Sequence, residues 1–79
     1  MSPTVFREGA YRFFFFSREE RRPHIHVSHP TGEAKFWLEP VIELEVNYGL
    51  TPQRLAVVSR LIREHEDEIR AAWRQHFPG

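Results

Sequence analysis

The sequence predicts an α+β fold: an antiparallel meander of four or five strands with one long or broken C-terminal helix packed on one face. Two observations carry this. Up to Asn47, short stretches alternate apolar with polar side chains, the period of a half-buried strand, and Gly and Pro interrupt them at turn spacings. From Pro52 onward the apolar residues recur at three- and four-residue steps, the period of an amphipathic helix. The 79 residues make a single domain, 1–79, with the sheet over 3–47 and the helical segment over 52–76.

Thr4 to Glu8 and Tyr11 to Phe16 read as two strands around Gly9-Ala10, and glycine first in a two-residue loop suits a primed hairpin turn. Pairing Glu8 with Tyr11 then sets Phe6 opposite Phe13 and Val5 opposite Phe14, with aromatics on both faces. Ser17 to Arg22 is a polar loop. Pro23 opens the third strand, His24-Ile25-His26-Val27-Ser28-His29, where Ile25 and Val27 point one way and His24 and His26 the other. A four-residue loop, Pro30 to Glu33, keeps apolar residues together by pairing His29 with Ala34, Val27 with Phe36 and Ile25 with Leu38. On the other face it pairs Ser28 with Lys35, His26 with Trp37 and His24 with Glu39. Val41 to Asn47 is a fifth strand, with Ile42, Leu44 and Val46 on one side and Glu43 and Glu45 on the other.

Thr51 is the expected N-cap of the helix, Pro52 its first residue, and Leu50 a staple onto Leu55. One uninterrupted helix to Gln75 would be roughly 38 Å long, against about 17–20 Å for a typical strand. Either it breaks near the polar Arg63 to Glu68 run, or its last turns, with Trp73 and Phe77, pack on another subunit in an oligomer.

Composition excludes several classes. There are no cysteines, so a disulfide scaffold, a thiolate zinc site and a cysteine nucleophile are all ruled out. With no signal peptide and no long apolar run, the expectation is a cytoplasmic protein without a membrane role. Formal charge sums to zero, so nucleic acid would have to be attracted by a local patch. Ser17, Ser28 and Ser59 lack a nucleophile motif, and Gly9, Gly32 and Gly49 read as turn formers, not as a phosphate loop.

Several stretches carry a resemblance: Thr4-Val5-Phe6 and Tyr11-Arg12-Phe13-Phe14-Phe15, then Pro23-His24-Ile25-His26-Val27, then Gly32-Glu33-Ala34-Lys35-Phe36-Trp37-Leu38-Glu39-Pro40, and the capped helix ending in Trp73 and Phe77. Together these resemble the small prokaryotic family catalogued as domain of unknown function 4160, over nearly the whole chain. Members are often encoded beside another small protein, as in toxin–antitoxin pairs. The resemblance therefore implies a protein partner encoded by a neighbouring gene, and it brings no catalytic residue with it.

Two constellations could carry chemistry. His24, His26 and Glu39 on one sheet face would offer two imidazoles and a carboxylate to zinc or iron. Alternatively, His24 or His26 would act as the general acid or base of an RNase, since imidazole titrates near neutral pH. The second constellation is the open face itself, where Arg12, Phe14, Phe16, Lys35 and Trp37 form a partner-binding surface. Aromatics beside cations also suit stacked RNA bases, but Glu33, Glu43 and Glu45 share that face and repel phosphate, which favours a protein. A homodimer that buries the face is the plainest alternative.

Overall fold

The computed structural model describes residues 4–16 and 21–77. Strands β1 (Thr4–Glu8), β2 (Tyr11–Phe14), β3 (His24–His29), β4 (Gly32–Trp37) and β5 (Glu43–Tyr48) are followed by helices α1 (Pro52–Glu64) and α2 (Glu66–His76). The strands form one sheet in the order β1-β2-β3-β4-β5, every neighbouring pair antiparallel. The expected meander is therefore present with five strands. The loop expected over 17–22 lies partly outside the described residues.

The core lies between the sheet and the helices. Phe13, Phe15, Ile25, Val27, Ala34, Phe36 and Leu38 meet Val58, Leu61, Ile62, Ile69 and Trp73 there. Their alternation along the strands is what leaves His26, Lys35 and Trp37 on the opposite face.

Register departs from expectation in three places. In the first hairpin, Gly9 has the positive φ of +56° that a primed turn needs, and Glu8–Tyr11 and Phe6–Phe13 pair as expected. A bulge at Val5 then sets Thr4, not Val5, opposite Phe14. The extra residue lets adjacent Val5 and Phe6 both pack against the core, which strict alternation forbids.

The β3–β4 hairpin closes on two residues, Pro30-Thr31, and not on four. His24 pairs with Trp37, Ile25 with Phe36, His26 with Lys35, Val27 with Ala34 and His29 with Gly32. The His29 ring closes this turn, because its Nδ1 accepts the Thr31 backbone N–H at 3.1 Å and lies 2.8 Å from the Thr31 hydroxyl. A slip of two residues preserves the faces. It does displace every partner, and Glu39 no longer lies across from His24.

On β5 the alternation breaks at Glu45. Lys35 pairs with Val46 and Phe36 with Leu44, leaving Glu45 as the extra residue of a bulge. Val46 thereby moves to the Lys35 face, and Leu44 remains with Phe36.

The helical start follows its signals: the Thr51 hydroxyl accepts the Arg54 N–H at 3.2 Å and Pro52 opens the helix. Asn47 adds a clasp that the apolar pattern does not signal, its amide donating to the Leu50 carbonyl and accepting the Leu50 N–H, both at 3.0 Å. At His65 (φ −106°, ψ 18°) the chain bends into α2, within the polar run where a break was expected. Helices of 13 and 11 residues are about 20 and 16 Å long, so neither overhangs the sheet and no second subunit is needed to cover them. The His65 ring stacks on Phe6 at 3.9 Å, and Phe6 on Phe13 at 4.3 Å, pinning the bend to the first hairpin.

Gly32 sits where the β3–β4 turn meets the β5–α1 turn. A Cβ at this position would stand 2.8 Å from the Gly49 carbonyl carbon and closer still to the Tyr48 carbonyl oxygen, both main-chain atoms that have little room to move. Gly32→Ala is therefore expected to destabilise by about 1–3 kcal/mol, the usual cost of overpacking, read as a lower midpoint in urea. A Cβ at Gly9 would meet nothing within 4 Å, so a clash of this kind should be absent there. Among the described residues, no helix is long and apolar enough to cross a membrane.

Candidate functional site

With both helices on one side of the sheet, the other side carries the ring-bearing residues of β2, β3 and β4. Phe14 pairs with His26 across β2 and β3, and His26 with Lys35 across β3 and β4, so these three side chains share a face. Their rings cluster. Phe14 and Phe16 meet edge to face at 5.3 Å, Phe16 and His26 lie 4.4 Å apart, and Phe14 stacks on His26 at 5.5 Å. This packing buries Phe14 although it faces away from the core, and leaves Phe16 45% exposed.

Cations lie on these rings. The Arg12 guanidinium is 4.5 Å from the Phe14 centroid, and its Nε donates to Thr4 Oγ1 at 2.7 Å. Trp37 carries two cations, the Arg22 guanidinium at 4.1 Å and the Lys35 ammonium at 4.5 Å. Arg22 is also tied by Nε to the Glu39 carbonyl at 2.9 Å. Such contacts satisfy the ring faces electrostatically, so Trp37 is less a bare platform for stacked bases than the sequence suggests.

The two imidazoles on this face have different surroundings. His24 has no exposed surface. Its Nδ1–H donates to the Arg22 carbonyl at 2.7 Å, which assigns the proton to that nitrogen because a carbonyl only accepts. Its ring lies 5.7 Å from Trp37, 5.0 Å from His26 and 5.1 Å from Trp73. Trp73 reaches this position from α2 while also meeting Phe15 at 5.2 Å, so its indole closes one end of the sheet over His24. A group so enclosed does not reach a substrate, which leaves half-buried His26 as the more accessible of the two imidazoles.

Glu39 is drawn elsewhere. Its carboxylate accepts from Arg70 Nη1 at 3.1 Å, and Arg70 also donates Nε to Glu66 at 2.9 Å and Nη2 to the Leu38 carbonyl. Arg70 thus fastens α2 to the end of β4. Together with the shifted register, this keeps His24, His26 and Glu39 from converging, and no group of three or more metal-ligating side chains occurs among the described residues. The cavity of about 540 Å³ beside Arg70, walled by Pro23, Leu38, Trp73 and Phe77, therefore opens onto a guanidinium that is already engaged.

Trp73 and Phe77, expected at an oligomer contact, sit within the chain instead. Trp73 is 7% exposed, and Phe77 is half-buried against it at 4.3 Å. The reverse holds at Tyr48, which lies just past the strand expected over Val41 to Asn47. It ends β5 opposite Glu33 and is 67% exposed, more than Phe16. Its signal is the tyrosine at the end of an alternating run, obscured by the bulge at Glu45. A cleft of about 320 Å³ runs between these two rings, lined further by His26, Glu33, Lys35 and Glu45.

The class so defined is a small α+β domain with a half-covered antiparallel sheet and an aromatic, histidine-bearing open face. The model of the family described as "Domain of unknown function (DUF4160)" matches residues 10–74, and the chain belongs to that family. No curated protein and no solved structure matches the chain.

Proposed function

We propose that this chain is a small interaction module, one half of a two-protein, toxin–antitoxin-like prokaryotic system, which binds its partner through the sheet face opposite the helices. One observation carries the reading: Phe16 and Tyr48 stand exposed on the side of the sheet that, among the described residues, carries no helix, opposite the packed core. Exposed aromatics next to partly buried rings mark protein interfaces more than free surface. The cations of the face are already engaged with Phe14 and Trp37, and Glu33 and Glu45 sit among the exposed rings. Both features favour a protein over RNA. A chain without cysteine agrees with work in the reducing cytoplasm.

The test is coexpression with the product of the adjacent gene. A complex is expected to copurify and to be lost in Phe16→Ala/Tyr48→Ala without a change in melting temperature. An unaltered complex in that double variant would remove the face from the reading. A monomer that cleaves RNA, with cleavage lost in His26→Ala, would instead establish the histidine-dependent RNase.

A further inference from the structure

The cleft between Phe16 and Tyr48 differs in charge from the rest of its face. Glu33 stands directly across from Tyr48, so its carboxylate and the phenol ring project from the same side of the sheet. Glu45 is the bulged residue of β5 and also lines the cleft; bulges commonly re-aim a side chain in this way. Among the described residues neither carboxylate makes an ion pair or a hydrogen bond, whereas Glu39, Glu66 and Glu68 each hold a cation or an imidazole. Lys35 does not fill the gap. Its ammonium lies 4.5 Å from the ring of Trp37, and Trp37 is on the far side of Lys35 from Glu33 along β4.

We propose that this cleft receives one arginine side chain of the protein partner, its guanidinium held by Glu33 and Glu45 and stacked against Tyr48 and Phe16. The inference rests on the partner-binding reading of the face and names the chemistry of the group that docks. A planar, weakly hydrated guanidinium suits the site better than a lysine ammonium, because it can pair with carboxylates through a fork of N–H donors while lying flat on a ring. The size agrees. At about 320 Å³ the cleft lies at the lower end of the roughly 300–1,000 Å³ of ligand pockets, enough for a side chain and small for a cofactor. Pairing these two carboxylates, unpaired among the described residues, also gives the contact its specificity.

The probe is blocked arginine, N-acetyl-arginine methylamide, titrated into the isotope-labelled full chain and followed by the backbone amide signals. Shifts confined to Glu33, Glu45, Tyr48 and Phe16 are expected in the millimolar range, absent with the neutral blocked citrulline and absent in Glu33→Gln/Glu45→Gln. Equal shifts with citrulline, or none with arginine, would overturn the proposal. In the copurified complex the same double variant is expected to raise Kd by about tenfold or more, the scale of lost charge-assisted hydrogen bonds. A complex that is lost in Phe16→Ala/Tyr48→Ala but unaltered in Glu33→Gln/Glu45→Gln would sink the arginine proposal and leave the interaction face standing. Failure of both variants to weaken it would sink the face as well. Both glutamates are exposed, so the amide signals far from the cleft should stay in place and report an intact fold.

Discussion

Trp73→Ala is expected to cost about 3–5 kcal/mol, the range for removing a large buried aromatic. The indole meets rings on three sides, Phe15 at 5.2 Å, His24 at 5.1 Å and Phe77 at 4.3 Å, and it closes the end of the sheet over His24. Alanine would leave Phe15 and His24 facing a void that Phe77, itself anchored on Trp73, could not fill. Domains of this kind are stable by only about 5–15 kcal/mol, and a short chain buries a smaller share of its surface than a long one. The loss is thus a large fraction of the total. At about 4–8 °C per kcal/mol for a domain of this size, the melting temperature should fall by about 12 °C or more. Truncation after Arg70 removes Trp73 and Phe77 together and should be at least as damaging. Calorimetry at two protein concentrations separates this from an oligomer contact. If Trp73→Ala melts like the parent chain but halves the mass seen by light scattering, the residue belongs to an interface and not to the core.

What is legible in the sequence follows from which forces act locally. The faces of the strands are readable because the period of two is imposed by the backbone and the apolar set must go to one side. The cap at Thr51 is readable because one hydroxyl serves a donor three residues on. The bend at His65 is readable only as an either-or, since the polar run permits a break and the decisive stack of His65 on Phe6 joins residues distant in the chain. Registers are hidden for the same reason. Matching apolar partners favours a four-residue loop after His29, while the actual turn is set by the His29 ring on Thr31 and by the tight approach of Gly32 to Gly49. Those interactions do not enter a pattern of apolar and polar residues. The bulges at Val5 and Glu45 are hidden too, because each is a local breach of alternation; at Val5 it lets two adjacent residues pack against the core, which a strict period of two does not anticipate. The metal constellation fails through register and the ion pair that goes with it: a hairpin two residues tighter moves Glu39 off the end of the ladder and into the reach of Arg70.

The second large effect separates the two histidines that alternation places side by side. His24→Ala is expected to destabilise by about 2–4 kcal/mol, combining a buried ring's packing with the loss of its hydrogen bond to the Arg22 carbonyl. His26→Ala, at a half-buried position, should cost less, about 1 kcal/mol, the centre of the distribution for point substitutions. The order reverses for function. Partner binding or any RNA cleavage should be lost in His26→Ala while the chain remains folded, whereas the loss in His24→Ala should track its unfolded fraction and recover on cooling. The assignment fails if His24→Ala melts with the parent, or if His26→Ala proves the less stable of the two. The contrast arises at the end of α2, because Trp73 closes over one imidazole and leaves its neighbour, 5.0 Å away, within reach of whatever occupies the face.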